Sequence, residues 1–85
     1  MSYDVRLMPQ AQKDLEEFRG KLHAKFESLI VGLYDNPRPH NSKKLGGGSS
    51  RWRIRFGDYR ILYELDEPRK AVRVYRIAHR KEAYR

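Results

Sequence analysis

Three arginines alternate with three large apolar residues near the middle of this chain. Residues 51–56 read Arg-Trp-Arg-Ile-Arg-Phe. Because successive side chains of a strand point to opposite faces, a strand here places three guanidinium groups on one face and three apolar groups on the other. Like charges in register destabilise a sheet, so we expect this face to bind a polyanion. Gly57-Asp58 is predicted to turn the chain into a second strand, which adds Arg60.

The positive charge is concentrated in the second part of the chain. The net charge is +8; residues 51–85 hold 11 Lys/Arg against 5 Asp/Glu, whereas residues 1–50 hold 8 against 6. Nine of those 11 residues are arginine, whose planar guanidinium matches phosphate oxygens. We therefore expect nucleic acid as the partner, with an acidic protein segment as an alternative. An anionic membrane is disfavoured, because membranes are usually met by a basic amphipathic helix.

The composition excludes several classes of site. The 85 residues suit a single domain spanning residues 1–85, without room for a buried dinucleotide. There are no cysteines, which excludes disulfides and thiolate metal sites. The three histidines, at positions 23, 40 and 79, do not have metal-ligand spacing, so we expect neither metal nor cofactor. No segment resembles a membrane span or a secretion signal, and a cytoplasmic location is expected.

The order of predicted elements is βααβββ. A strand covers residues 3–8, Pro9 begins a first helix, Gly20 breaks or bends it, and a second helix runs from about residue 21 to 35. An irregular stretch follows at 36–50, and three strands are predicted at 51–57, 59–66 and 71–78. This pattern predicts an α+β fold in which a small antiparallel sheet packs against an N-terminal helical hairpin.

Several further groups could take part in chemistry. The glycine-rich loop at 46–50 precedes a strand rather than a helix, so a flexible connection is favoured over a phosphate-binding loop. Aromatic residues near the basic strands could stack on unpaired bases. The candidates for proton transfer are His79, Lys44, Glu82 and Tyr84, and His23 and His40 are interpreted as bystanders.

Several motifs resemble those of a known family. They are Pro-x-Ala-x-x-Asp-Leu at 9–15, Asn-Pro at 36–37, Lys-Leu-x-Gly at 44–47, Trp-Arg-Ile-Arg-x-Gly-Asp-Tyr-Arg-Ile-Leu-Tyr at 52–63 and His-Arg-x-x-x-Tyr at 79–84. In this order they are similar to the RelE/ParE superfamily of type II toxins, and to its RelE-like branch in particular. The resemblance spans nearly the whole chain and implies the same fold as the pattern of elements.

The resemblance also implies a site. Arg53 and Arg55 match the paired basic positions of the second strand, and Arg60 matches the arginine of the following strand. Lysines occupy the paired positions in RelE-type relatives; because arginine does not readily lose a proton, Tyr84 and His79 remain as the proton carriers. The resemblance thus implies roles for Arg53, Arg55, Arg60, Arg80 and Tyr84. Together with the candidates from the residue pattern, the predicted catalytic residues are Arg60, Arg80, Tyr84 and His79, and the predicted phosphate-binding residues are Arg51, Arg53, Arg55, Lys44 and Arg76.

The function implied by the resemblance is cleavage of mRNA. RelE-type toxins are metal-independent endoribonucleases (mRNA interferases) that enter the ribosomal A site and inhibit translation by attack of the RNA 2′-hydroxyl on its neighbouring phosphate. The implied partners are the ribosome, mRNA and a cognate antitoxin in a toxin–antitoxin hetero-oligomer. Two alternatives stay open: a ParE-like poison of DNA gyrase and a non-catalytic nucleic-acid-binding module.

Overall fold

The computed structural model describes residues 2–47 and 50–84. Within that part of the chain, helices and strands follow one another in a βααββββα order. The elements are β1 (Asp4–Leu7), α1 (Pro9–Glu17), α2 (Gly20–Gly32), β2 (Ser42–Lys44), β3 (Arg51–Phe56), β4 (Tyr59–Asp66), β5 (Ala71–His79) and α3 (Arg80–Ala83).

All five strands belong to one sheet, in the order β1-β5-β4-β3-β2. The predicted α+β fold with a helical hairpin on one face of the sheet is confirmed. The sheet is mixed rather than wholly antiparallel, because β1 runs parallel to β5 at one edge while the other three pairings are antiparallel. These two strands lie at opposite ends of the chain, so no hairpin turn forces them to be antiparallel.

The helical hairpin divides where the sequence predicts a break. Pro9 occupies the first turn of α1, where its missing N–H group is not needed. Gly20 has a φ of +61°, a conformation that L side chains rarely adopt, and it begins α2. The second helix ends at Gly32, three residues before the predicted end, and its last carbonyl groups accept hydrogen bonds from the turn that follows.

The core lies between the helical hairpin and one face of the sheet. The alternation predicted for β3 is confirmed, because Ile54 is fully buried there and Trp52 and Phe56 pack around it. The hairpin contributes Phe26, whose ring meets the ring of Phe56 edge-on with centroids 6.1 Å apart. Among the described residues, the fully buried side chains larger than alanine are Phe26, Leu33, Ile54, Ile61, Tyr63, Val72, Val74 and Ile77.

Two short elements are absent from the prediction. The stretch interpreted as irregular contains β2, whose three residues are too few to show a strand alternation. The terminal segment predicted as a charged tail forms α3, although Arg85 lies outside the described residues. Residues 48 and 49 of the glycine-rich loop also lie outside them. In the described ranges, we find no helix that is both long and apolar enough to cross a membrane.

Candidate functional site

The sheet face opposite the helical hairpin carries the three arginines of β3, and we call it the arginine face. The strand register extends this face to both sides. Arg55 lies opposite Arg60 of β4, and Arg53 lies opposite Lys43 of β2. Arg51 instead lies opposite Glu64. Cross-strand neighbours of like charge cost stability, so two of these three positions concentrate positive charge at an energetic cost.

Arg60 is held at the β3–β4 turn. Its Nη1 donates to the carbonyl oxygens of Gly57 and Tyr59, at 3.0 and 2.9 Å. These bonds fix the guanidinium beside the turn residues Gly57-Asp58. A guanidinium carries five N–H donors, and here both bonds are made by one nitrogen. Among the described residues no carboxylate pairs with Arg60, so its remaining donors can bind an anion.

Arg80 is brought to the same turn from the end of β5. Its backbone N–H donates to the carbonyl oxygen of Asp58 at 2.7 Å. Its Nε lies 3.8 Å from the Asp58 carboxylate, and both side chains are more than half exposed. An exposed pair of this kind contributes between zero and about 1 kcal/mol, so an arriving phosphate can replace it. Arg55, Arg60 and Arg80 therefore lie around one turn.

Aromatic groups occupy the other end of the arginine face. The guanidinium of Arg51 lies 5.2 Å from the ring centroid of Tyr75. Burial raises the pKa of Tyr75; Arg51 opposes that rise, and the nearby Glu64 and Tyr84 add to it. Tyr84 is 57% exposed. This end of the face thus offers one exposed phenol next to a partly buried one.

The acidic partners are unevenly distributed over the face. Glu64 lies 3.6 Å from Arg51 and 3.7 Å from Arg73, so it neutralises part of that end. In contrast, neither Arg53 nor Arg55 forms an ion pair with any described residue. The uncompensated positive charge therefore centres on the middle of β3 and the β3–β4 turn.

Helix α3 lies on the arginine face rather than extending into solvent. Ala83 is buried against Leu62 and Ala78, with Leu45 and Tyr75 around them. The helix is capped by His79, whose Nδ1 accepts a hydrogen bond from the N–H of Lys81 at 3.2 Å. This packing carries the chain from Arg80 at the turn to Tyr84 near Tyr75, so both predicted residues of the tail belong to the face.

The structure places His79 away from the arginine face. It lies opposite Tyr59 in the register, and the two rings meet edge-on with centroids 5.7 Å apart. Tyr59 packs on Phe18 and Phe26 of the helical hairpin. His79 therefore lies on the hairpin side of the sheet edge, where it caps α3, and the prediction that it acts beside the arginines is not supported by its position.

The guanidinium of Arg76 reaches α1 instead of the middle of the arginine face. Its Nε lies 3.5 Å from the carboxylate of Asp14 on α1. The β4–β5 pairing is irregular here, because Leu62 pairs with Arg76 but the next residue, Tyr63, pairs with Val74. Since Leu62 also lies opposite Arg53, the register leaves Arg76 on the arginine side of the sheet, and the ion pair draws its side chain to α1. The extra residue, a β-bulge, interrupts the strand alternation on which the sequence prediction depends.

Lys43, rather than the predicted Lys44, lies on the arginine face. Lys44 lies opposite Trp52, so the register assigns it to the hairpin side of β2. Lys43 lies opposite Arg53 on the arginine face. Once the register of β2 is known, strand alternation shows that Lys43 is the lysine on the arginine face. The sequence Ser-Lys-Lys alone does not show which of the two lysines faces that side.

A groove at the β2 edge of the arginine face is lined by His40, a residue interpreted from the sequence as a bystander. His40 lines this open groove of about 470 Å³ together with Lys43, Arg53 and Arg55. No sequence motif points to His40, because it lies in the turn before a three-residue strand. Within the described ranges, no three His, Asp or Glu side chains are grouped as metal ligands would be.

The comparison with known proteins agrees with this architecture. A model of the family described as the ParE toxin of type II toxin-antitoxin system, parDE, matches residues 5–84. The toxin RelE of Mycobacterium tuberculosis is 29% identical over 84 residues, which cover 98% of this chain and 87% of that protein.

Solved structures show the same fold. A chain of the archaeal RelE–RelB complex from Pyrococcus horikoshii superposes with a TM-score of 0.84 at 27% identity, covering 98% of this chain and all of that chain. A chain of the RelBE2 toxin–antitoxin complex from Mycobacterium tuberculosis gives a TM-score of 0.79 at 26% identity, covering 93% and 99%. With a ParE family match over nearly its whole length and relatives named RelE, the chain belongs to the RelE/ParE family of type II toxin–antitoxin toxins.

Proposed function

We propose that this toxin is an mRNA endoribonuclease of the RelE type, which cuts mRNA in the ribosomal A site. The observation that carries the proposal is the cluster of cations without acidic partners on the arginine face, with an exposed tyrosine on the same face. Arg53 and Arg55 supply two of these cations, and Arg60 supplies a third at the turn. Relatives named RelE support this branch of the family over others.

The proposed reaction is an internal transesterification. The 2′-oxygen attacks the adjacent phosphorus, the bond from phosphorus to the 5′-oxygen breaks, and the products are a 2′,3′-cyclic phosphate and a 5′-hydroxyl. Negative charge accumulates on the non-bridging oxygens in the transition state. Fixed donors aimed at such charge are worth roughly 2.7–4 kcal/mol each, which is about 100- to 1000-fold in rate.

The cations have distinct tasks in this proposal. Arg60 and Arg80 stabilise the charge that develops on the attacked phosphate, because both are held at the β3–β4 turn. Arg53 and Arg55 bind that phosphate and its neighbours. Tyr84 accepts the proton of the 2′-hydroxyl.

A cognate antitoxin is the proposed partner. The relatives with the same fold are found in RelE–RelB and RelBE2 complexes. An acidic antitoxin segment on the arginine face would neutralise the unpaired cations and block access of RNA. The active form would then be free toxin, and the stored form a toxin–antitoxin hetero-oligomer.

The test is primer extension on ribosomes programmed with a defined mRNA. We expect wild-type protein to cut within the A-site codon, and Arg60→Ala to cut at least about 100-fold more slowly while remaining folded. Naked mRNA run in parallel reveals whether the ribosome is needed. Wild-type activity in a folded Arg60→Ala variant would exclude the assigned role of this residue.

A ParE-like gyrase poison is the second candidate, because the matching family description is that of ParE. A supercoiling assay with purified DNA gyrase separates the two functions. Inhibition of supercoiling, together with intact mRNA on programmed ribosomes, would establish the poison and reject the ribonuclease. If neither occurs, the protein is a binding module without catalysis.

A further inference from the structure

We propose that His40 is the general acid of the reaction and protonates the departing 5′-oxygen; this inference rests on the ribonuclease function proposed above. The residue matches no motif of the family resemblance. Its position in the groove at the β2 edge of the arginine face carries the inference.

The turn that carries His40 is fixed to the arginine strand. The N–H of Arg55 donates to the carbonyl of Asn41 at 3.2 Å, and the Asn41 side-chain amide donates to the carbonyl of Arg55 at 3.0 Å. Within the turn itself, the N–H and hydroxyl of Ser42 both donate to the carbonyl of Pro39, at 2.9 and 2.7 Å. Two hydrogen bonds thus join the turn to β3, and two more close the turn around His40.

Of the residue types that line the groove, histidine is the one whose ordinary pKa lies near neutrality, because the ordinary pKa of lysine is about 10.4 and that of arginine is higher still. Lys43 faces the groove from β2, and Arg53 and Arg55 face it from β3. Arginine does not release a proton, whereas histidine gives and takes one near neutral pH. No carboxylate lines the described part of the groove. The other histidine near the face, His79, lies on the hairpin side, where it packs on Tyr59 and caps α3.

His40 and Tyr84 lie on opposite sides of β3, as the reaction requires of its acid and its base. In phosphoryl transfer the attacking and leaving oxygens lie roughly in line, so the base and the acid must approach the phosphorus from opposite sides. His40 lies at the β2 edge, whereas Tyr84 lies near Tyr75 of β5. Arg53 of β3 lies between these strands and is suited to hold the phosphate.

Tyr84 and His40 together account for both proton transfers of the reaction. The 2′-hydroxyl proton passes to the phenolate oxygen of Tyr84 as the 2′-oxygen bonds to phosphorus. The bond from phosphorus to the 5′-oxygen breaks, its electron pair stays on oxygen, and the imidazolium of His40 supplies the proton for the 5′-hydroxyl. Solvent then removes the proton from Tyr84 and returns one to His40.

The test is single-turnover cleavage of two synthetic mRNAs on programmed ribosomes. The two RNAs differ by one atom: the second carries sulfur in place of the 5′-oxygen at the bond that is cut. A thiol has a pKa of about 8.5 and leaves without a proton donor, so this RNA does not need a general acid. The variants are His40→Gln and, as matched control, His79→Gln, each compared with wild type after thermal unfolding confirms the fold.

We expect His40→Gln to cut the ordinary RNA about 100-fold more slowly or worse, and to regain wild-type rate within about tenfold on the sulfur-substituted RNA. His79→Gln should show no such rescue. Equal loss on both RNAs, or no loss on either, would overturn the role of His40 while leaving the ribonuclease intact. Failure of the wild-type protein to cut either RNA would instead reject the proposed function, and His40 with it.

Discussion

The unpaired cations of the arginine face predict a trade between stability and RNA binding. Arg55 lies directly opposite Arg60, and neither has an acidic partner among the described residues. Like charges at directly opposed positions cost roughly 0.2–1 kcal/mol. We therefore expect Arg55→Gln to raise the free energy of unfolding by about 0.5 kcal/mol while it weakens RNA binding.

The expected loss of binding follows from the number of unpaired cations. The face presents four cations that have no acidic partner in the described part of the chain, namely Lys43, Arg53, Arg55 and Arg60. Each phosphate contact to single-stranded RNA contributes about −0.7 to the slope of log affinity against log salt, so four contacts give about −2.8. Affinity should then fall about 50-fold between roughly 50 and 200 mM salt. Arg55→Gln should reduce the slope to about −2.1.

The assay is fluorescence anisotropy with a labelled RNA whose 2′-hydroxyls are replaced by hydrogen, which prevents cleavage. Urea unfolding of the same proteins gives their stability. The matched control is Arg73→Gln, because Arg73 is a sheet arginine that lies 3.7 Å from Glu64. This control should leave the salt slope nearly unchanged and should not raise stability.

The reasoning would be refuted by equal behaviour of the two variants. If Arg55→Gln and Arg73→Gln change the salt slope by the same amount, RNA does not distinguish paired from unpaired arginines. If Arg55→Gln lowers stability, the cross-strand repulsion is outweighed by packing of the arginine stem, and the cost assigned to the arginine face is wrong.

Two further predictions concern the residues that support the face. Burial raises the pKa of Tyr63 to about 12, and its hydroxyl donates to the carbonyl of Pro37 at 2.6 Å. The phenol therefore loses its proton near pH 10 in the unfolded state but only near pH 12 in the folded state. The free energy of unfolding should be unaffected by this group below pH 10 and should fall by about 3 kcal/mol as the pH rises to 12. Denaturant titrations should show a much smaller fall for Tyr63→Phe. Asp14 is 7% exposed and accepts a hydrogen bond from the N–H of Ile77 at 2.9 Å. Asp14→Ala should cost about 3 kcal/mol by leaving that N–H and Arg76 unpaired, whereas a loss below about 1 kcal/mol in urea unfolding would show that water replaces the carboxylate.

The sequence predicts the parts of the fold that depend on local patterns. Alternation in β3 identifies which side chains face the core, and Gly57-Asp58 identifies the turn, since both signals lie within a few residues. Arg76 could not be placed this way, because the bulge arises from pairing between β4 and β5 rather than from either strand alone. The position of His40 depends in the same way on hydrogen bonds to β3.

The division of the arginine face argues for a polymeric ligand. Arg51 and Arg55 are four residues apart in β3, which separates their Cα atoms by about 13 Å. The aromatic groups lie at the Arg51 end, and the unpaired cations lie toward the Arg55 end. A single free phosphate fills only part of this length. A strand of RNA can fill all of it, because the attacked phosphate lies between Tyr84 and the cations while its neighbouring phosphates bind the remaining cations. The length of the face then contributes to selection of an RNA chain over a free nucleotide.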